Sequence, residues 1–320
     1  MRAYSSAVLI ALCAVFTHAH AQTGKWPERP VRVVVPFTPG GATDIVARLI
    51  APRMSEEFGQ QFIVDNRPGA GGSLGVEIVV RANPDGHTIL VGASSYSSNA
   101  ALYKLAFDPL KDIQPVTLIT RGIFIMAVPA SLKAANIKEL IALARAKPNS
   151  ISFGSSGVGG VPHLATELFK QMTGVQMVHV PFKGDGPAMP ALLAGEIQLY
   201  AGGPIVLAPH VASGKLRALA VTSAQRSPAL PDIPAVSETV AGYEGLTWFG
   251  LWAPKRTHAA IVLRLNQAVA RALEQPQVLT RLKENGMDPA HGTPEAFQKF
   301  VDAEIAKWTK VVKAGNIRVE

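Results

Sequence analysis

The sequence predicts an α/β protein of two lobes with a ligand cleft between them. Short β-rich runs alternate with amphipathic helical stretches through most of the chain, the pattern of a mostly parallel sheet flanked by helices. Two long extended stretches, Thr117–Val128 (TLITRGIFIMAV) and Gly245–Ala253 (GLTWFGLWA), interrupt that rhythm and bracket a middle block. At 320 residues the chain is also longer than most single domains. One lobe built from both chain ends, 22–125 and 247–320, with a second lobe, 126–246, inserted between them accounts for all three observations. One continuous domain is the alternative.

The chain opens with a secretory leader over residues 1–21. Arg2 supplies the positive start, Ala7–Phe16 the short apolar run, and Ala19-His20-Ala21 the small-x-small pattern that signal peptidase cuts after. Ten apolar residues are too few for a spanning helix, which needs roughly 20. Cys13, the only cysteine, lies inside the apolar run behind the bulky Leu12, which does not suit lipid attachment. Cleavage after Ala21 removes it and leaves no disulfide framework. The location expected of the mature protein is therefore the periplasm.

After the leader, Val31–Pro36 (VRVVVP) reads as a buried strand, and Thr43–Phe58 follows as a helix with Ile45, Val46, Leu49, Ile50, Met54 and Phe58 at helical spacing. Strand Gln61–Asp65, helix Ser73–Ala82 and strand Thr88–Val91 come next. In the middle block, strand Ser150–Phe153 leads to helix Pro162–Met172, strand Met177–Val180 to helix Pro187–Ala194, and strands Ile197–Tyr200 and Leu216–Val221 close it. The tail, Ala259–Val312, is helical and amphipathic.

Composition narrows the function. The formal net charge is +8, and of these charges only Arg2 goes with the leader. A mildly basic surface draws anions, but no dense Lys/Arg stripe with interleaved aromatics points to nucleic acid. No cofactor is expected, because the glycine-rich Asn66–Gly75 (NRPGAGGSLG) has Leu74 where a dinucleotide fingerprint needs its third glycine. No metal site is expected either. His163 and Glu167 are four apart, but two groups are too few for a site.

Two loops share one design. Pro36–Asp44 (PFTPGGATD) and Gly154–His163 (GSSGVGGVPH) each follow a strand, are rich in glycine or small hydroxyl residues, and open a helix. Thr43 is expected to cap the first of these helices, with Asp44 in its first turn. Free N–H groups at a helix start bind anions, although an ordinary tight turn fits the same residues. Two such loops, one per lobe, can grip a carboxylate between them without Arg or Lys. Gly92–Asn99 (GASSYSSN) is a third polar stretch, suited to the far end of a ligand or to a solvated turn. Trp248 and Trp252, four residues apart and so on one face of an extended strand, are expected to pack in the core.

These stretches resemble the substrate-binding proteins of tripartite tricarboxylate transporters, the Bug family. The resemblance runs from about Trp26 to the C-terminal helix. It rests on PFTPGGATD (36–44), VDNRPGAGGSLG (64–75), ANPDGHTILVG (82–92), SSGVGGVPHLATELF (155–169), VPFKGDGPAM (180–189), GKLRALAVTS (214–223) and WFGLWAP (248–254). It implies a type II periplasmic-binding-protein fold and a ligand-binding role, with no catalytic residue. Phe37, Thr38, Gly40, Gly41 and Ala42 would hold a carboxylate from one side. Ser155, Ser156, Gly157 and Val161 would hold it from the other, with His163 at the helix start and Ser94, Ser95 and Asn99 as further candidates. The implied partner is a two-component membrane permease, not always encoded nearby, and the protein is expected to be a monomer.

One departure stands out. Many members carry an aromatic–Asp pair where this chain has Ala201-Gly202-Gly203. Losing that acid disfavours an amino-acid ligand and favours a mono- or dicarboxylate, aromatic acids included. Two other functions compete with uptake. One is a ligand-loaded partner of a membrane sensor. The other is a hydrolase using Ser155 or Ser156 with His163, against which stands the absence of an acidic orienter or a nucleophile elbow.

Overall fold

The computed structural model describes residues 26–182 and 185–318. The leader expected at 1–21, and Lys183 and Gly184 of the 180–189 stretch, lie outside the described residues. Two sheets organise the chain on one plan. In the first, β1 (Val31–Val35) runs between and parallel to β2 (Phe62–Asn66) and β3 (Thr88–Ala93). β10 (Thr247–Pro254) lies antiparallel between β3 and β4 (Ile113–Gly122), and β11 (Met287–Pro289) closes the edge beside β4. In the second, β6 (Ser152–Ser155) runs parallel between β7 (Val178–Pro181) and β8 (Leu199–Gly202), and β5 (Ile125–Pro129) lies antiparallel between β8 and β9 (Leu216–Val221). In both sheets the interior antiparallel strand, β10 or β5, is the one whose chain has just arrived from the other sheet. That exchange is the type II periplasmic-binding-protein topology.

The VRVVV run of β1 is apolar almost throughout because both faces of its sheet are covered. Val33 and Val35 join a core with α1 (Ala42–Phe58) and α8 (Ala259–Glu274), through Ile50, Met54 and Leu265. Val34, pointing the other way, joins Leu90, Trp248, Trp252 and Phe297. The second sheet is likewise two-faced. Met126 and Val128 face α4 (Ile137–Ala146) and α5 (Val161–Thr173), while Ile125 and Ala127 face α6 (Asp185–Ala194) and α7 (Pro204–Ala212).

Four expectations change. The long 117–128 stretch is two strands, β4 and β5, parted by Ile123 and Phe124. There Thr222, just after β9, ties the two crossings together, for its Oγ1 accepts the Phe124 N–H at 3.0 Å, its N–H returns to Phe124 O, and its carbonyl accepts the Gly245 N–H at 2.9 Å. The serine-rich stretch after β3 is not a turn but helix α3 (Ser95–Leu102), held by buried Tyr96, Ser97, Ser98 and Asn99 despite its poor helix formers. Helices α4 and α7 were not anticipated. α7 starts with Pro204 in its first turn, where the missing N–H costs nothing. The tail is α8, α9 (Pro276–Glu284), β11 and α10 (Pro294–Ala314). α10 serves both lobes, with Phe297 and Val301 in the core of the first sheet and Trp308, Val311 and Val312 in that of the second.

Candidate ligand-binding site

Both glycine-rich loops lie at the C-terminal ends of central parallel strands, where α/β sheets hold ligands. In the first, the cap of α1 is Gly41, with extended backbone (φ −77°, ψ 167°), and not Thr43, which is buried one residue inside the helix. A cap must leave the helical conformation, and the flexible Gly40-Gly41 pair does so earlier in the chain than Thr43. No side chain caps the first-turn N–H groups of α1; Asp44, in that turn, instead turns back to take the N–H of Gly40, the residue before the cap, at 2.9 Å.

Asp44 is buried and also accepts from Arg48 Nε (2.9 Å) and Asn66 Nδ2 (3.0 Å). Burial pushes its carboxyl up, but the hydrogen bonds from Arg48, Gly40 and Asn66 outweigh that and hold it below the usual carboxylate range. Asn66 Nδ2 reaches Phe37 O at 2.9 Å and so secures the loop's other end. Thr38, Gly40, Gly41 and Ala42 are left exposed, while Phe37 is half-buried. A Cβ at Gly72 (φ +100°) would lie 3.0 Å from Phe37 Cζ, so only glycine lets that ring lie where it does.

Asn99 joins this group, donating from Nδ2 to Gly71 O at 2.9 Å. Ser95 is half-buried at the start of α3. Ser94 is buried and turned towards the crossing, with Oγ 3.3 Å from Thr247 Oγ1. The first-lobe candidates thus form one cluster running Phe37, Gly72, Gly71, Asn99, with Ser94 set apart beside β10.

In the second lobe, Gly160 caps α5 with extended backbone, and Gly157 (φ +153°) and Gly159 (φ +79°) shape the loop before it. Ser155 is fully buried. Its Oγ lies 2.7 Å from His179 Nε2 and 3.0 Å from Gly157 O, and accepts the Gly157 N–H at 3.3 Å. His163 is also buried, and its Nδ1 accepts the Gly159 N–H at 3.0 Å. Val161 packs into the second-lobe core. Ser156 and Gly157 are the half-exposed members of the set. Ser155 therefore pairs with His179 and not with His163, the partner that a hydrolase would have required.

Asn66, Arg48, Gly71, Gly72 and His179 belong to the site's framework but were absent from the sequence-based set. Asn66, Gly71 and Gly72 were in view as a rejected nucleotide fingerprint and as part of a stretch carrying the resemblance, but not as site residues. No group of three or more metal-binding side chains is found among the described residues, and no described helix is long and apolar enough to cross a membrane.

A two-lobed α/β fold of this topology, with a glycine-rich loop at the start of a helix in each lobe, defines a periplasmic solute-binding protein. The family model for the tripartite tricarboxylate transporter family receptor matches residues 46–317, and the chain belongs to that family. BugT of Bordetella pertussis is 33% identical over 319 residues, spanning 98% of this chain and 97% of the relative. A protein encoded in the tcbD-tcbE intergenic region of Pseudomonas sp. (strain P51) is 37% identical over 307 residues, spanning 95% and 91%. Among solved structures, R. palustris Rpa4515 with adipate matches at TM-score 0.80 and 40% identity, covering 92% of this chain and 99% of that one. MatC (Rpa3494) from Rhodopseudomonas palustris with bound malate matches at TM-score 0.75 and 34% identity, covering 89% and 99%. The family is one of receptors, and the chain is not an enzyme.

Proposed function

We propose that the protein is exported with cleavage after Ala21 and closes its lobes around a small organic carboxylate. It then delivers that ligand to the two-component permease of a tripartite tricarboxylate-type transporter. One lobe comprises residues 22–125 and 247–320, with the end of α10 reaching into the core of the other, 126–246. The observation that carries the reading is the matched pair of loops before α1 and α5, in a chain whose structural relatives hold adipate and malate. A helix start offers unpaired N–H groups and a partial positive charge, worth about 0.3–1 kcal/mol to an anion and up to ~2 kcal/mol when partly buried. Closure follows when one ligand bonds to both loops, because only the closed state makes both sets of contacts.

In this reading Thr38, Gly40, Gly41 and Ala42 meet the ligand from the first lobe, and the Ser156–Gly157 backbone meets it from the second. Phe37 and Asn99 line the cleft, and Ser94 and Ser95 lie towards its floor. The test is a thermal-shift screen of the mature protein, residues 22–320, against mono- and dicarboxylates, followed by calorimetry. A ligand at a hundred times its Kd stabilises by about 2.7 kcal/mol. If no carboxylate in a broad panel raises the melting temperature, the ligand class is wrong.

A further inference from the structure

Two imidazoles lie stacked beneath the second-lobe loop. His163, in the first turn of α5, and His179, in β7, have ring centroids 3.8 Å apart and planes 13° from parallel, and Phe153 stacks on His179 at 4.9 Å. Each ring holds one point of the loop. His163 Nδ1 takes the Gly159 N–H, and His179 Nε2 meets the Ser155 hydroxyl, which takes the Gly157 N–H.

The protonation state of His163 follows from this geometry. A backbone N–H aimed at Nδ1 needs a lone pair there, so the ring is neutral with its proton on Nε2. The loop has no stiffness of its own, since three of the four residues 157–160 are glycine. Its shape must come from what lies under it.

We infer that His163 and His179 are positioning residues, whose stacked rings, that of His163 uncharged, hold the Gly157–Gly160 backbone in the shape in which it meets the ligand. The inference takes from the proposed function only what the loop binds. The shape of the loop stands apart from it.

The first lobe shows why an imidazole is used. There Gly40 gives its N–H to Asp44, four residues on, as Gly159 gives its N–H to His163. The spacing is the same, and the acceptor differs. Asp44 can be an acid because the Arg48 guanidinium lies against it. Beneath the second loop the nearby cation, Lys170, is already paired with Glu167 at 2.7 Å. A second carboxylate there would set an unmatched buried negative charge under a loop that grips an anion, whereas a neutral imidazole accepts the same hydrogen bond without that penalty.

The experiment compares five variants, three at His163 and two at His179, in the full mature protein. Backbone amide exchange is read at Gly159 without ligand, and affinity is read for the carboxylate that most stabilises wild type. His163→Leu removes the acceptor, and Gly159 protection falls about tenfold or more, with a matching loss of affinity. His163→Asn, whose Oδ1 stands where Nδ1 stood, restores both to within about threefold of wild type. His163→Asp keeps the protection but loses affinity about tenfold, because it adds the charge without the geometry changing. His179→Leu loses affinity and His179→Gln recovers it.

Wild-type protection and affinity in His163→Leu overturn the positioning role. Full affinity in His163→Asp overturns the requirement for a neutral ring. Should a leucine variant fail to fold, the Asn and Asp variants decide between these outcomes. A wild type that binds no carboxylate overturns the proposed ligand class alone, since Gly159 protection in the same variants still decides the positioning role.

Discussion

The Gly40 N–H donates to Asp44 Oδ2 at 2.9 Å, so the first binding loop is fastened by a residue of the helix it introduces. Asp44→Ala removes the acceptor for Gly40 and for Asn66 Nδ2. Arg48 is half-exposed, so its charge returns to water and is not stranded. The expected loss is therefore about 1–3 kcal/mol, the worth of the hydrogen bonds lost from a carboxylate, and not the larger cost of breaking a fully buried ion pair. Urea unfolding measures it. The pH dependence has a definite sign. The folded carboxyl titrates below its unfolded value, so its contribution is present above the unfolded pKa and is lost as pH falls through the folded one. Asp44→Asn removes that part of the acid limb.

Gly40 and Gly41 are adjacent but differ in what they tolerate. Gly40 has φ +82° with no atom within 4 Å of where a Cβ would stand, so a side chain there meets strain and not a clash. Forcing a non-glycine residue into that conformation costs about 1–2 kcal/mol. Gly41 has φ −77°, and its Cβ would lie 3.6 Å from Thr38 O, an ordinary contact. Gly40→Val is expected to keep the fold, lower the melting temperature by a few degrees, and abolish carboxylate binding. Gly41→Ala should keep wild-type stability. Calorimetric titration decides, and unchanged affinity in Gly40→Val takes this loop out of the site.

What was legible in the sequence is what depends on periodicity. Val31–Pro36 announces a strand covered on both faces, and the two loops announce themselves through glycine, hydroxyl residues and the helix that follows. Side-chain direction within the loops was not legible. Ser155 ends β6 and points inward to His179, a contact set by the neighbouring strand 24 residues away. Helix α3 was hidden for a different reason. Its serines favour turns in isolation, and only burial of Tyr96 and Asn99 against the rest of the lobe makes the stretch helical. The fastening of Gly40 was missed because Asp44 in a first turn reads as a favourable charge, whereas its carboxylate in fact turns back into the loop.

Acid should weaken the fold through the stacked imidazoles. Burial first, then His179 and Lys170, push His163 down to about 3, and burial and Lys170 push His179 down to about 4. In the unfolded chain both titrate near 6.5. Between these values the unfolded state binds protons that the folded state refuses, so stability falls as pH drops below about 6.5 and stops falling, for these groups, near 4 and 3. Each ring contributes a slope of about 1.4 kcal/mol per pH unit at most. The double variant His163→Asn, His179→Gln should flatten the plot of unfolding free energy against pH over that window. An unchanged slope would mean that the rings are already accessible to protons in the folded state.

The last expectation concerns how the two cores are joined. Glu304 Oε2 accepts the indole N–H of Trp248 and that of Trp308, each at 3.1 Å. Trp248 belongs to the first-sheet core and Trp308 to the second-sheet core, so a single buried carboxylate on α10 ties one to the other. Lys307, one turn on, balances its charge from the outer side. Glu304→Leu leaves two buried indole donors unmet and should cost about 2–5 kcal/mol, whereas Glu304→Gln keeps an acceptor oxygen and should cost about 1 kcal/mol. The consequence extends beyond stability, because α10 packs on both lobes. In Glu304→Leu the two cores lose a shared bond, and unfolding followed by tryptophan fluorescence should separate from unfolding followed by far-ultraviolet dichroism. Coincident curves with an unchanged midpoint would show that the apolar packing of Phe297, Val301, Val311 and Val312 joins the lobes without help from Glu304.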